Sequence, residues 1–346
     1  MRRKPRILIA GGAGFIGSHL SEALLAEGHE VLCLDSLLTG KTENVDRLAR
    51  DPKFHFLRQD IIDPLPLSVR ADFVCNLACA ASPPHYQADP VHTMLTSVMG
   101  TRNLLASANE QGAGFLLAST SEVYGDPEIH PQPESYLGNV NSTGPRACYD
   151  EGKRAAEALA FDFRRTRQTD VRVVRIFNTY GPRMRPDDGR VVSNVICQAL
   201  TNADITIYGS GQQTRSFCYV DDLVDGLMRM IGLPAAPERP INLGSPFEFT
   251  IRELVDEVLA LTGSRSRIIE KPLPVDDPKR RQPDIAQARA LLGWEPKVRL
   301  ETGLRYTADW FAEALGSEKK PSRSCGAAPM VAEANGMVMP GAPPTR

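Results

Sequence analysis

The stretch RILIAGGAGFIGSHLSEALLAEGHEVLCLD, residues 6–35, decides the fold. An apolar run at 6–10 leads at once into GGAGFIG at 11–17, and the segment 18–28 then repeats apolar residues at three- and four-residue spacing, as a helix covering a sheet requires. A second apolar run, 31–35, ends in an acid, Asp35. Strand, glycine loop, helix and strand in this order can hold a dinucleotide. Gly11 permits the tight turn, Gly14 lets backbone approach a pyrophosphate, and Gly17 allows the helix to pack closely on the strand. The helix N-terminus adds unpaired N–H groups and a favourable dipole for the anion. A carboxylate at Asp35 binds adenosine ribose hydroxyls and repels a 2′-phosphate, so the expected cofactor is NAD rather than NADP.

Outward from this unit, apolar runs at 54–57, 71–77, 114–118 and 171–177 read as further strands, with a helical pattern at 90–111. The alternation predicts an α/β protein built on a Rossmann-like, doubly wound parallel sheet. After Thr179 the pattern loosens into a Gly/Pro/Arg-rich loop at 181–190, helical stretches at 191–201 and 251–262, and short strands between them. The expected division is an NAD-binding domain over 1–178, with return segments around 213–240, and a smaller C-terminal substrate-binding lobe over 179–316. Residues 317–346 are rich in Ser, Pro, Gly, Ala and Met without periodicity, and a disordered tail is expected there.

With 346 residues, 42% hydrophobic side chains and a formal charge of -2, the chain can bury a large core and carries no electrostatic footprint for nucleic acid. No stretch approaches the roughly 18 consecutive apolar residues of a membrane span. The basic start resembles a signal peptide briefly, but glycines break the apolar run that follows, so a cytoplasmic protein is expected. Seven scattered cysteines form neither a disulfide framework nor a paired metal-ligand spacing, which suits a reducing compartment and predicts no metal. Small molecules are the expected partners.

Tyr149 and Lys153 lie four residues apart in CYDEGKRAAE, which on a helix places both on one face. A free tyrosine has a pKa of about 10 and becomes a base near neutrality only where a cation stabilises the phenolate. Lys153, together with the positive nicotinamide, can do so. Upstream, FLLASTSEVYGDP ends an apolar strand at Ala118 and presents Ser119, Thr120, Ser121 and Glu122 beyond its carboxyl edge, where doubly wound sheets bind ligands.

The Gly-x-x-Gly-x-x-Gly spacing and the Tyr-x-x-x-Lys pair resemble the short-chain dehydrogenase/reductase superfamily in its extended form. ASPPHYQADP, GPRACYDEGKRAAE, RIFNTYGPRM, GQQTRSFCYVDDLVDGL and KRRQPDIAQARALLGWEPKV are most similar to the UDP-glucuronate decarboxylases, and the likeness extends to about residue 312. The resemblance implies a carboxy-lyase with tightly bound NAD that converts UDP-glucuronate to UDP-xylose. It assigns Tyr149 as base, Thr120 to the reactive oxygen, Ser121 to the sugar carboxylate, and Glu122 to protonation at C5 or to positioning water. It adds Phe15, Ile16, Asp60, Ile61, Leu77, Thr96 and Ala118 to the cofactor contacts, with Asp60 and Ile61 at the adenine. It places Tyr86, Asn178, Arg190, Tyr208, Arg215 and Arg281 around the UDP-sugar, with Arg281 also able to approach the carboxylate, and gives His85 no catalytic role. A homodimer packing helices 91–111 and 149–167 into a four-helix bundle is also implied. The sequence departs from the family at Leu137, at Ser142-Thr143 and at Ala80. The rival readings are 4-epimerisation, 4,6-dehydration, release of the 4-keto sugar, and a non-catalytic NAD sensor.

Overall fold

The computed structural model describes residues 4–273 and 280–318. The expected tail at 317–346 lies almost wholly outside the described residues. The last helix continues to Glu318, past the 316 boundary.

The first half runs β1 (Arg6–Ala10), α1 (Phe15–Ala26), β2 (Glu30–Asp35), β3 (Phe54–Arg58), β4 (Phe73–Asn76), α2 (Pro83–Tyr86), α3 (Pro90–Leu95), α4 (Thr101–Gln111), β5 (Gly114–Thr120), α5 (Ala147–Arg167) and β6 (Val171–Ile176). The segment expected as one helix over 90–111 is interrupted by a wider π-helical turn at Thr96–Gly100. The second half runs β7 (Thr179–Tyr180), α6 (Val191–Thr201), β8 (Ile205–Tyr208), β9 (Thr214–Ser216), β10 (Cys218–Tyr219), α7 (Val220–Gly232), β11 (Ile241–Leu243), β12 (Glu248–Thr250), α8 (Ile251–Thr262), β13 (Ile268–Lys271), α9 (Ala286–Leu292) and α10 (Leu300–Glu318).

The main sheet is seven-stranded, in the order β11-β6-β5-β4-β1-β2-β3, and every neighbouring pair is parallel. Strand order reverses between β1 and β4, which opens a crevice at their carboxyl ends. Both faces of the central strands β1, β4 and β5 are covered, so these strands are largely apolar, whereas the edge strand β3 leaves His55 and Phe56 exposed. Ile7 and Ile9 of β1 pack on one face with Leu20 and Leu24 of α1 and with Leu223 and Leu227 of α7. Leu8 and Ala10 point the other way, onto Leu104 and Leu105 of α4 and Ala156 and Ala160 of α5. Each such leucine contributes about 1.5–3 kcal/mol through burial. β11 lies among the short strands expected between 201 and 251, but it joins the main sheet beside β6, beyond the anticipated return segment at 213–240.

β5 runs two residues past its expected end because Ser119 and Thr120 stay in register with Arg175 and Ile176 of β6. The smaller lobe carries the antiparallel pair β9-β12 and the parallel pair β8-β13 beside packed helices α6, α8 and α10. A capping box opens α8, with Thr250 Oγ1 accepting from the Glu253 N–H at 3.0 Å and Glu253 Oε2 accepting from the Thr250 N–H at 2.7 Å. It fixes the end of β12, the strand paired with Arg215 on β9.

Candidate active site

A cavity of about 520 Å³ opens at the crevice between the sheet's carboxyl edge and the smaller lobe. Its floor is the glycine loop. Gly11 has a φ of +79°, and a Cβ there would lie 2.8 Å from the Leu77–Ala78 backbone. Gly17 does not line the cavity. A Cβ on it would stand 2.1 Å from the Gly11 carbonyl oxygen, so its bare Cα lets α1 start against the turn. Gly14 does line it, and a Cβ there would meet only the Gly11 oxygen, at 3.1 Å. Gly14 is also the N-cap of α1, without a side-chain cap or an acid in the first turn, which leaves that end complementary to an anion. Phe15 and Ile16 continue the wall.

Asp35 is 7% exposed at the end of β2, and its carboxylate accepts from the Ala13 N–H at 3.0 Å and the Leu37 N–H at 2.8 Å. Burial pushes its carboxyl up, and the two backbone bonds oppose the shift. Further along the wall, Asp60 accepts from the Ile62 N–H at 3.0 Å and lies 2.8 Å from His92 Nε2. Thr96 donates to the His92 carbonyl at 2.8 Å from the π-helical turn. Ile61, Leu77, Thr96 and Ala118 all face the cavity. His92 lines it too and joins Asp60 to the Thr96 turn. Sequence reasoning missed it because a lone histidine in PVHTML gives no signal without its partner on β3's far side.

On α5, Tyr149 and Lys153 are buried, at 6% and 4% exposure. The Thr120 side chain faces Tyr149 and lowers its phenol against the effect of burial. Tyr86 stacks on Tyr149, with ring centroids 5.2 Å apart and planes 5° from parallel. Lys153 Nζ donates to the Ala118 carbonyl at 3.0 Å and stands 5.9 Å from the Tyr149 ring centroid. Burial pushes the Tyr149 phenol above its ordinary range and lowers the Lys153 ammonium. The protein's own groups therefore keep Tyr149 protonated, and the lysine acts first on the backbone that carries Thr120.

Ser121 and Glu122 follow β5 in a tight 3₁₀ turn, with Ser121 buried. Arg281 holds Glu122 through two bonds, Nη1 to Oε1 at 2.6 Å and Nη2 to Oε2 at 2.7 Å, and Arg146 adds a third to Oε2 at 2.7 Å. Burial opposes ionisation of Glu122, but Arg281 and Arg146 outweigh it and hold the carboxyl down at about 2. Glu122 thus has no proton to give near neutrality, and its carboxylate is taken up by the two arginines. The Arg281 side chain reaches Glu122, while its backbone carbonyl accepts from the Ser216 N–H, beside Arg215, at 3.3 Å. Arg146 and its α5 neighbour Asp150 were missed by sequence reasoning, although both flank Tyr149 in GPRACYDEGK.

Asn178, Arg190, Tyr208 and Arg215 line the same cavity, with Asn178 two residues beyond Ile176, the β6 partner of Thr120. Arg190 is not free: Asp188 takes its Nε at 2.5 Å and its Nη2 at 2.8 Å. Arg215 Nη1 donates to the Thr214 carbonyl at 2.8 Å. Tyr208 is 41% exposed, at the mouth. His85 faces the cavity, with Nδ1 2.7 Å from Ser82 Oγ.

Residues 7–244 match the NAD dependent epimerase/dehydratase family. The chain is 53% identical over 300 residues to UDP-glucuronic acid decarboxylase 3 of Arabidopsis thaliana, covering 86% of both chains. It is 50% identical over 312 residues to UDP-glucuronic acid decarboxylase 1 of Danio rerio, covering 90% of this chain and 74% of that one. Among solved structures it is similar to UDP-glucuronic acid 4-epimerase from Bacillus cereus in complex with UDP-glucuronic acid and NAD. That likeness has a TM-score of 0.80 and 28% identity over 89% of this chain and 99% of the other. Fold, cavity and relatives agree that the chain belongs to the NAD dependent epimerase/dehydratase family.

Proposed function

We propose that the chain binds NAD and decarboxylates UDP-glucuronate to UDP-xylose. The observation that carries this reading is the placement of Arg281 and Ser121 at the same cavity end as Tyr149 and Thr120. A cation beside the reacting hydroxyl suits a sugar bearing a carboxylate. The relatives named as decarboxylases support the same substrate.

Loss of carbon dioxide directly from a uronic acid would leave an unsupported electron pair at C5. Once C4 is a ketone, the carboxylate belongs to a β-keto acid, and the departing pair is delocalised onto the C4 oxygen. Bound NAD supplies the hydride acceptor and donor for C4 and a positive ring near Tyr149. The loop at Gly11 and Gly14 and the start of α1 hold the pyrophosphate, Asp35 the adenosine ribose, and Asp60 with Ile61 the adenine. Phe15, Ile16, Leu77, Thr96 and Ala118 exclude water around them. Tyr149 takes the C4 hydroxyl proton, and Thr120 holds the same oxygen. Ser121 and Arg281 orient the carboxylate, and Glu122 keeps Arg281 in place. Tyr86, Asn178, Arg190, Tyr208 and Arg215 bind the rest of the UDP-sugar.

The same reading includes a homodimer through α3, α4 and α5. Val91, Leu95 and Met99 are 68%, 41% and 38% exposed at four-residue spacing, which supports an apolar stripe that a second copy would cover. It also includes a cytoplasmic setting, where the free thiols of Cys33, Cys75 and Cys218 would stay reduced. None of the described helices is long and apolar enough to cross a membrane.

The test is to offer the purified protein UDP-glucuronate, UDP-glucose, UDP-galactose and dTDP-glucose with catalytic NAD and identify products by mass. UDP-xylose from UDP-glucuronate, lost in Tyr149→Phe, is expected. A 4-epimer or a 4-keto-6-deoxy sugar as the sole product would refute the reading.

A further inference from the structure

Four charged side chains meet behind the reacting end of the cavity: Glu122, Arg146, Arg281 and Asp150. Their formal charges cancel. Arg146, Asp150 and Arg281 are each no more than 9% exposed, so a change in net charge there is poorly screened. The sharing is uneven. Glu122 accepts three guanidinium bonds, whereas Asp150 Oδ1 is buried with no hydrogen-bond partner among the described residues, and Asp150 Oδ2 lies 3.9 Å from Arg146 Nε. A buried carboxylate left without donors is the member of such a cluster that protonates when further negative charge arrives.

The decarboxylase reading, on which this inference rests, brings that charge: the sugar carboxylate must reach Arg281. We infer that Asp150 then takes up a proton from solvent, so that Arg281 serves both Glu122 and the substrate without leaving the buried cluster net negative. The proton bonds an Asp150 oxygen and returns to solvent once carbon dioxide has left and C5 has been protonated. Asp150 acts through Arg146 and does not touch the sugar. It is a positioning residue.

The groups facing Asp150 are consistent with this role. Burial and repulsion from Glu122 push its carboxyl up, Arg146 and Arg281 pull it down, Glu151 adds a smaller upward push, and the balance lies at about 7. From α2 and α5, the Tyr86 phenol and the Cys148 thiol are pushed up by burial and stay protonated, and the Tyr149 phenol, also pushed up by burial, is replaced by Phe in the protein used for the test below. Glu122 stays ionised. Asp150 is thus the member of this cluster whose charge is adjustable near neutral pH.

The experiment measures proton uptake on ligand binding, by calorimetric titration in buffers of different ionisation enthalpy, using NAD-loaded Tyr149→Phe protein so that no turnover follows. Uptake with UDP-glucuronate and none with UDP-glucose is expected. It should be greatest just above neutral pH and fade at acidic pH, where Asp150 already holds its proton. Asp150→Asn in the same background should abolish it while leaving UDP-glucose binding in place. Uptake that survives Asp150→Asn overturns the inference, as does equal uptake with UDP-glucose. If Asp150→Asn does not fold, the pH course in the parent protein decides, and uptake that is flat with pH refutes it. Carbon dioxide release by the unmodified enzyme reports separately on the decarboxylase reading. Release without uptake overturns only this inference, and uptake abolished by Asp150→Asn supports it even where no carbon dioxide forms.

Discussion

Replacing Glu122 by Gln keeps the side chain's size and removes the charge that two buried guanidiniums share. The side chains of Glu122, Arg146 and Arg281 are 14%, 10% and 7% exposed, so solvent cannot take over the lost contacts. A glutamine has one oxygen to accept and an NH₂ that would face a guanidinium donor to donor, so at least one of the three bonds is lost outright. Breaking a buried pair in this way costs about 3–5 kcal/mol of stability. Denaturant unfolding of the NAD-loaded protein should show that loss as a lower midpoint with an unchanged slope. Adding Arg146→Met removes the second cation and should restore part of it, with a coupling of about 0.5–3 kcal/mol. A loss of under about 1 kcal/mol for Glu122→Gln, or simple additivity in the double variant, would refute the argument that this cluster is desolvated and mutually dependent.

Gly17→Ala places a methyl against the Gly11 carbonyl oxygen and should cost about 1–3 kcal/mol with loss of retained NAD, whereas Gly14→Ala should weaken NAD binding at less cost to folding; unfolding curves and released cofactor distinguish them. His92→Ala removes the partner of Asp60 and should weaken NAD binding by about 0.5–1.5 kcal/mol, read as a Kd, with kcat at saturating NAD preserved. Asp150 has a folded pKa of about 7 against 3.8 ordinarily, so the native state binds more protons in that window and stability falls as pH rises through it. Asp150→Asn escapes this fall and should gain on the wild type by up to about 1.4 kcal/mol per pH unit between about pH 5 and pH 7; a difference independent of pH contradicts the assignment.

What was legible in the sequence was local. The strand, glycine loop and helix of residues 6–26 are contiguous, and each glycine's task follows from its place in one turn. Tyr149 and Lys153 share a helix face by spacing alone. That β11 belongs to the main sheet escaped notice because Ile241–Leu243 is too short to carry a period and its partner β6 lies some way back in the chain. The expected ends of β4 and β5 missed by a residue or two, since hydrogen-bond register rather than apolarity sets them. The charged cluster was out of reach for a different reason. Glu122 and Arg281 are 159 residues apart, so Arg281's place at the reacting end, and the worth of Arg146 and Asp150, exist only once the chain has folded. The Lys153 bond to the Ala118 carbonyl likewise joins α5 to β5 across the core.

The account turns on hydride leaving C4 and coming back to it within one active site. The most direct measurement supplies UDP-glucuronate deuterated at C4 with a trace of unlabelled NAD and follows the label in the product by mass and NMR. The account predicts UDP-xylose with deuterium retained at C4, one carbon dioxide per product, and no lasting NADH. Carbon dioxide with the label left on the cofactor, or a product that keeps its carboxylate, would contradict it.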